Sequence, residues 1–230
     1  MPASKSRGGV ETGFKQGHPY TGGDGQGYGV FLFESNNSKY EGEWKDNRYD
    51  GNGKTTLSTG LVAYDGEWKE GKCDGAGKFQ WASGATYEGE WKAGTMEGKG
   101  TYRLESGNVY TGEWKGGQRH GWGKHIIAVR PKVSSEYEGE WVDDQRIGRG
   151  TLTYPNGEAE VGTFAATNGE TEVGTGRRAG EGARWSADRQ KAWRMKDGKE
   201  VNECTLEEAA AVAAAIDLPV PAAPAQAPAA

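Results

Sequence analysis

One eight-residue phrase, Tyr87-Glu-Gly-Glu-Trp-Lys-Ala-Gly94, is written five times in this chain with small changes. The other copies begin at Tyr40, Tyr64, Tyr110 and Tyr137. Their tryptophans, Trp44, Trp68, Trp91, Trp114 and Trp141, stand 24, 23, 23 and 27 residues apart. A glycine pair follows each tryptophan at seven and nine residues: Gly51/Gly53, Gly75/Gly77, Gly98/Gly100, Gly121/Gly123 and Gly148/Gly150. A fixed period of about 20–50 residues means that one supersecondary unit is stacked along the chain, each copy burying its apolar face against its neighbours.

The unit itself is legible from its alternation. Tyr87, Gly89 and Trp91 share one face of an extended strand, while Glu88, Glu90 and Lys92 share the other. After the glycine pair Tyr102 and Leu104 continue the apolar face, and Leu57, Phe79, Trp81, Ile127, Leu152 and Tyr154 fill the same slots elsewhere, with Thr55 and His125 as polar intruders. Three residues past each tryptophan stand Asn47, Gly71, Gly94, Gly117 and Asp144, types that tolerate positive φ. Thr59-Gly60, Ser83-Gly84, Ser106-Gly107 and Asn156-Gly157 then turn the chain into the next copy. Each unit therefore reads as a β-hairpin with one aromatic and one charged face, and the bare glycines are where neighbouring rings lie over the backbone.

The expected fold is mainly β: a single elongated, twisted antiparallel sheet of successive hairpins with a short C-terminal helix. Gly27-Tyr-Gly29 with Phe31 and Phe33 extends the array upstream, with Tyr20-Thr-Gly22 as a shortened strand before it. Downstream, Gly162-Thr-Phe164 keeps the glycine–aromatic step but loses the tyrosine. About eleven strands at ~4.8 Å each make a ribbon roughly 50 Å long. The domain plan is a flexible 1–19, a repeat sheet over 20–165 with five clear repeats in 40–160, and a degenerate repeat or basic hairpin cap over 166–200. A helix over 205–217 and a disordered Pro/Ala tail over 218–230 complete it.

The pattern Y-x-G-x-W-x-x-G-x-x-x-G-x-G at this period resembles the MORN repeat (membrane occupation and recognition nexus), over about Tyr20 to Phe164. Arrays of that family occur in junctional membrane proteins, plant phosphatidylinositol phosphate kinases, a histone lysine methyltransferase, radial spoke heads and protist cytoskeletal scaffolds. The resemblance implies a recognition or scaffolding part, with any catalysis in another domain; the residues after Phe164 are too few for a kinase or methyltransferase.

Composition narrows the function further. The chain has 230 residues, 39 glycines, 9 tryptophans, 10 tyrosines and an apolar fraction of 34%, so aromatics supply most of the burial. A net charge of −5 gives no global attraction to nucleic acid, which is not expected as a partner. Cys73 and Cys204 follow no metal spacing, and neither a signal peptide nor a membrane-length apolar run is seen. An intracellular, cytoplasmic protein with reduced thiols is expected, with cytoskeleton or membrane periphery as its setting.

No enzyme, cofactor or metal is expected. The glycines of "GDGQGYG" from Gly23 lack the strand-then-helix context of a phosphate loop. His18, His120 and His125 have no ligand partners at metal spacing. Glu43, Glu67, Glu90, Glu113 and Glu140 read as a solvated column with Lys45, Lys69, Lys92 and Lys115 as cross-strand partners.

The function expected is a non-enzymatic scaffold or adaptor. Its curved aromatic groove, lined by Tyr40, Trp44, Tyr64, Trp68, Tyr87, Trp91, Tyr110, Trp114, Tyr137 and Trp141, would hold a helix or extended peptide of a partner. The alternative is a peripheral membrane-tethering module recognising acidic phospholipid, with Arg184, Arg189 and Arg194 of the basic–aromatic segment 177–200 as the contacts. A regulatory fragment of an enzyme is the remote third. An open-ended sheet also invites end-to-end homodimers.

Asp197-Gly198 reads as a hairpin turn, and Thr205-Leu-Glu-Glu208 as a capping box opening the helix. Leu206, Ala209, Ala213 and Ile216 form its apolar stripe. A helix of about thirteen residues is marginal alone in water, so it is expected to dock, with a cap on the decayed end of the sheet favoured over the aromatic groove.

Overall fold

The computed structural model describes residues 26–33, 35–129, 133–165 and 177–223. Tyr20-Thr-Gly22, the N-terminal 1–19 and the last residues of the tail lie outside the described residues. In chain order the strands are β1 (Gly27–Phe33), β2 (Ser38–Lys45), β3 (Arg48–Thr56), β4 (Val62–Lys69), β5 (Lys72–Gln80), β6 (Thr86–Lys92), β7 (Thr95–Arg103) and β8 (Val109–Lys115). They continue as β9 (Gln118–Val129), β10 (Val133–Val142), β11 (Gln145–Thr153), β12 (Ala159–Ala165), β13 (Arg177–Trp185), β14 (Ala192–Lys196) and β15 (Lys199–Cys204), followed by α1 (Leu206–Ala215). Among the described residues the strands form one open antiparallel sheet of 15, ordered as in the sequence. That exceeds the eleven or so expected, because β13, β14 and β15 continue the pairing after the Tyr-x-Gly-x-Trp signature has ended.

The chain divides into two compact units, Met1–Glu105 with Glu113–Gln118, and Ser106–Gly112 with Arg119–Ala230. In the first, the hairpins close through pairs of left-handed residues: Asp46/Asn47 (φ 49°, 59°), Glu70/Gly71 (49°, 82°) and Ala93/Gly94 (49°, 86°). Two successive positive φ angles define the type I′ turn, whose twist matches the strands it joins. Each hairpin also carries a register shift near its first paired glycine, as between Gly42 and Trp44 or Gly66 and Trp68. Gly51, Gly75 and Gly98 take that position with φ 96°, 106° and 61°. It is a β-bulge that only glycine enters cheaply.

The second unit repeats the design with β10 and β11, and then changes. Gly150 pairs with Gly162, so Glu160 and Phe164 stay on the ladder side of β12 while Ala159 and Val161 point the other way. Val161 pairs with Ala183, and Ala159 with Trp185. These side chains form a buried cluster with Ala192, Ala209, Ala213 and Leu218. α1 therefore packs on β13 and β14, on the face of the strands opposite the ladder.

Two expectations are corrected there. Leu206 is 44% exposed and not part of the docked stripe, which is carried by Ala209 and Ala213 at 0%; a residue of the first turn projects past the small platform of β13 and β14. The tail is not free from residue 218 onward. Leu218 is buried, its N–H donates to the Ala213 carbonyl, and the carbonyls of Pro221 and Ala222 accept from Arg189.

Candidate functional site

The ladder residues interlock rather than line an open groove. None of the ten is more than 6% exposed. In the first unit Tyr40 lies edge-on between Trp44 (5.3 Å) and Trp68 (5.6 Å), Tyr64 between Trp68 (4.9 Å) and Trp91 (5.7 Å), and Tyr87 between Trp91 (5.0 Å) and Trp114 (5.4 Å). In the second unit Tyr110 meets Trp141 at 5.3 Å, and Tyr137 lies between Trp141 (5.3 Å) and Phe164 (5.0 Å). Edge-to-face pairs of this kind add about 0.5–1.5 kcal/mol beyond area burial.

Every ring is also tied by its polar atom. The indole N–H groups of Trp68, Trp91 and Trp114 donate to the carbonyls of Gly53, Gly77 and Gly100 at 2.9, 3.1 and 3.2 Å, and Trp141 donates to Gly123 at 3.1 Å. The hydroxyls of Tyr40, Tyr64, Tyr87 and Tyr137 donate to the carbonyls of Glu43, Glu67, Glu90 and Glu140 at 2.8–3.1 Å. Each tyrosine covers the second glycine of its hairpin so closely that a Cβ at Gly53, Gly77, Gly100, Gly123 or Gly150 would overlap the phenol. Burial pushes the hydroxyls of Tyr40, Tyr64, Tyr87 and Tyr137 well above the usual phenol range. These hydroxyls serve as structural hydrogen-bond donors. The Cys73 thiol, at 0% exposure, is likewise pushed up to about 12 by burial.

The glutamate column plays a different part from the one expected. Glu43, Glu67, Glu90 and Glu140 accept the backbone N–H of Asn52, Ala76, Lys99 and Arg149 at 2.8–3.1 Å. Those N–H groups follow the bulge glycine, where the ladder of strand hydrogen bonds is interrupted and leaves a donor to satisfy. No ion pair of Lys45, Lys69, Lys92 or Lys115 appears among the described residues; the pairs present include Lys39–Glu41, Lys78–Glu88 and Lys124–Glu136. A second acidic column, Asp50, Asp74 and Glu97, accepts from the turn N–H of Glu70, Ala93 and Gly116 at 2.8–3.2 Å. His120 stands next in that column and instead faces Asp143 at 3.5 Å.

Of the arginines expected at a lipid surface, two are engaged inside the protein. Arg184 pairs with the buried Glu160 at 3.0 Å. Arg189 donates to the carbonyls of Gly157 and Ala222, both at 2.9 Å, and to Pro221 at 3.2 Å. Arg194 is exposed on the helix side of β14. Trp185, read as part of a basic–aromatic surface, is 1% exposed beneath α1.

Beside the ladder of the first unit lies a row that is only half buried. Phe79 and Trp81 meet at 4.6 Å, Trp81 and Tyr102 at 5.3 Å, and Leu104 is 41% exposed. In the second unit the ladder side carries Arg119, Arg146, Arg178 and Arg184. Arg119 and Arg146 were missed in the sequence although a signal was there: five residues past the tryptophans stand Tyr49, Cys73, Met96, Arg119 and Arg146, an apolar column that turns cationic. They share this side with His125, whose pKa is lowered to about 4 by burial and by the charges of Arg119 and Arg146.

Ring, glycine and bulge recur through the repeated hairpins, and this defines an open-sheet repeat protein whose repeated positions build the scaffold. The MORN repeat matches residues 40–62, 64–86, 87–109, 110–126 and 137–159, and the chain belongs to the MORN repeat family. No curated protein matches the chain. A repeat-based binding or scaffold module is what this membership supports, and no helix among the described residues is long and apolar enough to cross a membrane.

Proposed function

We propose that the chain is a non-enzymatic scaffold or adaptor that holds a partner protein, as a helix or extended peptide, on the ladder side of its repeats. The observation that carries this reading is the half-buried aromatic row of the first unit, Phe79, Trp81 and Tyr102 with the exposed Leu104. Rings held by neighbouring rings lose little conformational entropy on binding, which is why such rows serve as anchors. The ladder residues of the first unit, from Tyr40 to Trp91, form the floor beneath the contact. β1 adds a seam for a second copy, since Tyr28, Val30 and Leu32 are 61%, 48% and 65% exposed on one of its faces.

Acidic phospholipid is the less favoured occupant, because Arg184 and Arg189 would have to leave internal bonds to reach it. Affinity capture from native lysate, read by mass spectrometry, tests the protein reading. A partner retained by the wild type should be lost from the double variant Trp81→Ser/Tyr102→Ser, whose thermal midpoint should fall by only a few degrees, as for partly exposed side chains. Undiminished capture by the folded variant would exclude this row.

A further inference from the structure

Arg146 is a buried cation with no counter-ion among the described residues. It is 6% exposed, and its guanidinium lies 4.6 Å from the Tyr137 ring centroid and 5.6 Å from that of Trp141. Its Nε is buried without a hydrogen-bond partner, and it makes no ion pair among the described residues. Burial, reinforced by Arg119 and Arg178, lowers its pKa to about 10, so it stays charged at neutral pH.

Among the described residues, the carboxylates Asp144 and Glu160 on that side are already taken. Asp144 receives Arg119 Nε at 2.7 Å, and its carbonyl receives Nη2 at 3.0 Å. Glu160, 3% exposed, pairs with Arg178 at 2.6 Å and with Arg184 at 3.0 Å, and accepts the Tyr154 hydroxyl at 2.8 Å. The Nδ1 of His125 is a second buried polar atom without a hydrogen-bond partner among the described residues. Four arginines thus face two saturated carboxylates. A desolvated charge left unpaired is costly, and ring faces offset only part of that cost.

We propose that Arg146 is the receptor for a carboxylate of a partner protein, so that an acidic segment docks on the ladder side of the second unit. This rests on the reading that the repeats hold a protein partner, and it specifies that partner's chemistry. A single planar guanidinium framed by aromatic rings suits one carboxylate at close range. A lipid surface is drawn instead by exposed clusters of basic residues.

The test uses the full chain, labelled with nitrogen-15, and two synthetic peptides, one alternating glutamate with alanine and one with glutamine in place of glutamate. The glutamate peptide should shift the Arg146 Nε–H resonance, and the glutamine peptide should not. Arg146→Met places the residue found at Met96 into the same column; it should keep or raise the thermal midpoint and weaken the glutamate peptide about tenfold or more. The inference is overturned if the wild type ignores the glutamate peptide, or if Arg146→Met binds it equally well. It is also overturned if the Nε–H of the free protein already resonates as a carboxylate-bonded group. Phosphatidylserine vesicles that bind through Arg146 when the peptide does not would transfer the site to a membrane. Loss of a captured partner in Trp81→Ser/Tyr102→Ser with no effect of Arg146→Met would leave the protein reading standing and sink this inference alone.

Discussion

At Gly98 the backbone enters positive φ (61°), whereas at Gly100 it is the Tyr87 phenol that leaves no room for a side chain. The two glycines of one pair thus meet different demands, and their substitutions should differ in kind. Gly100→Ala forces the ring from its bond to the Glu90 carbonyl and should cost about 2–3 kcal/mol as an overpacked site. Trp91→Ala removes a ring 3% exposed and should cost about 3–5 kcal/mol. Urea unfolding of both variants checks the order, and a wild-type midpoint for Trp91→Ala would refute the interlocked ladder. His125 provides a pH handle. Its folded pKa of about 4 lies below the ordinary imidazole value of 6.5, so the unfolded chain binds the extra proton first. Stability should therefore fall as pH drops from 6.5 towards 4, by on the order of 2 kcal/mol once partial exposure is discounted. His125→Phe, which installs the residue type of Phe79, should flatten that part of the stability profile relative to wild type.

At the scale of elements, a hairpin is closed by three devices that do not depend on the partner strand's identity: the type I′ turn, the bulge, and the glutamate that caps the bulge. α1 is held differently. Thr205 and Glu208 close the capping box at 3.1 and 2.9 Å, which sets where the helix begins, but a helix of this length needs a surface to persist. That surface is Val161, Ala183, Trp185 and Ala192. Ala213→Glu should therefore undock α1, at about 2 kcal/mol or more, with fast amide exchange through the helix. Leu206→Ala should stay within about 0.5 kcal/mol of wild type, because its side chain is 44% exposed. Equal effects of the two changes would contradict the observed seat.

For the molecule as a whole, the division of labour between faces decides what can bind. The repeats of the first unit place neutral rings and an apolar row on the ladder side. In the second unit that side becomes cationic, and the apolar core moves to the opposite side of β12–β14 beneath α1. With Arg184 and Arg189 engaged and a net charge of −5, cosedimentation with anionic vesicles should be weak even at low salt. Strong sedimentation abolished by Arg194→Glu would favour the lipid alternative instead.

The repeat hairpins, their turn residues, the helix start and the family were legible in the sequence. Tyrosine, tryptophan and glycine at a fixed spacing specify contacts within one hairpin and to the next, and such local demands recur wherever the spacing recurs. What only the tertiary structure decided involves partners that no spacing records. Whether Trp185 is surface or core depends on a helix that begins some twenty residues later and folds back over it. The glutamates proved to be backbone caps because the bulge beside them exposes an N–H, which alternation alone does not reveal. Burial of the ladder rings comes from each tyrosine standing between two tryptophans, so a row that reads as an open aromatic surface closes on itself. Arg146 was in plain view as one letter in a column. Its lack of a counter-ion among the described residues is a property of everything packed around it, and a sequence does not print that.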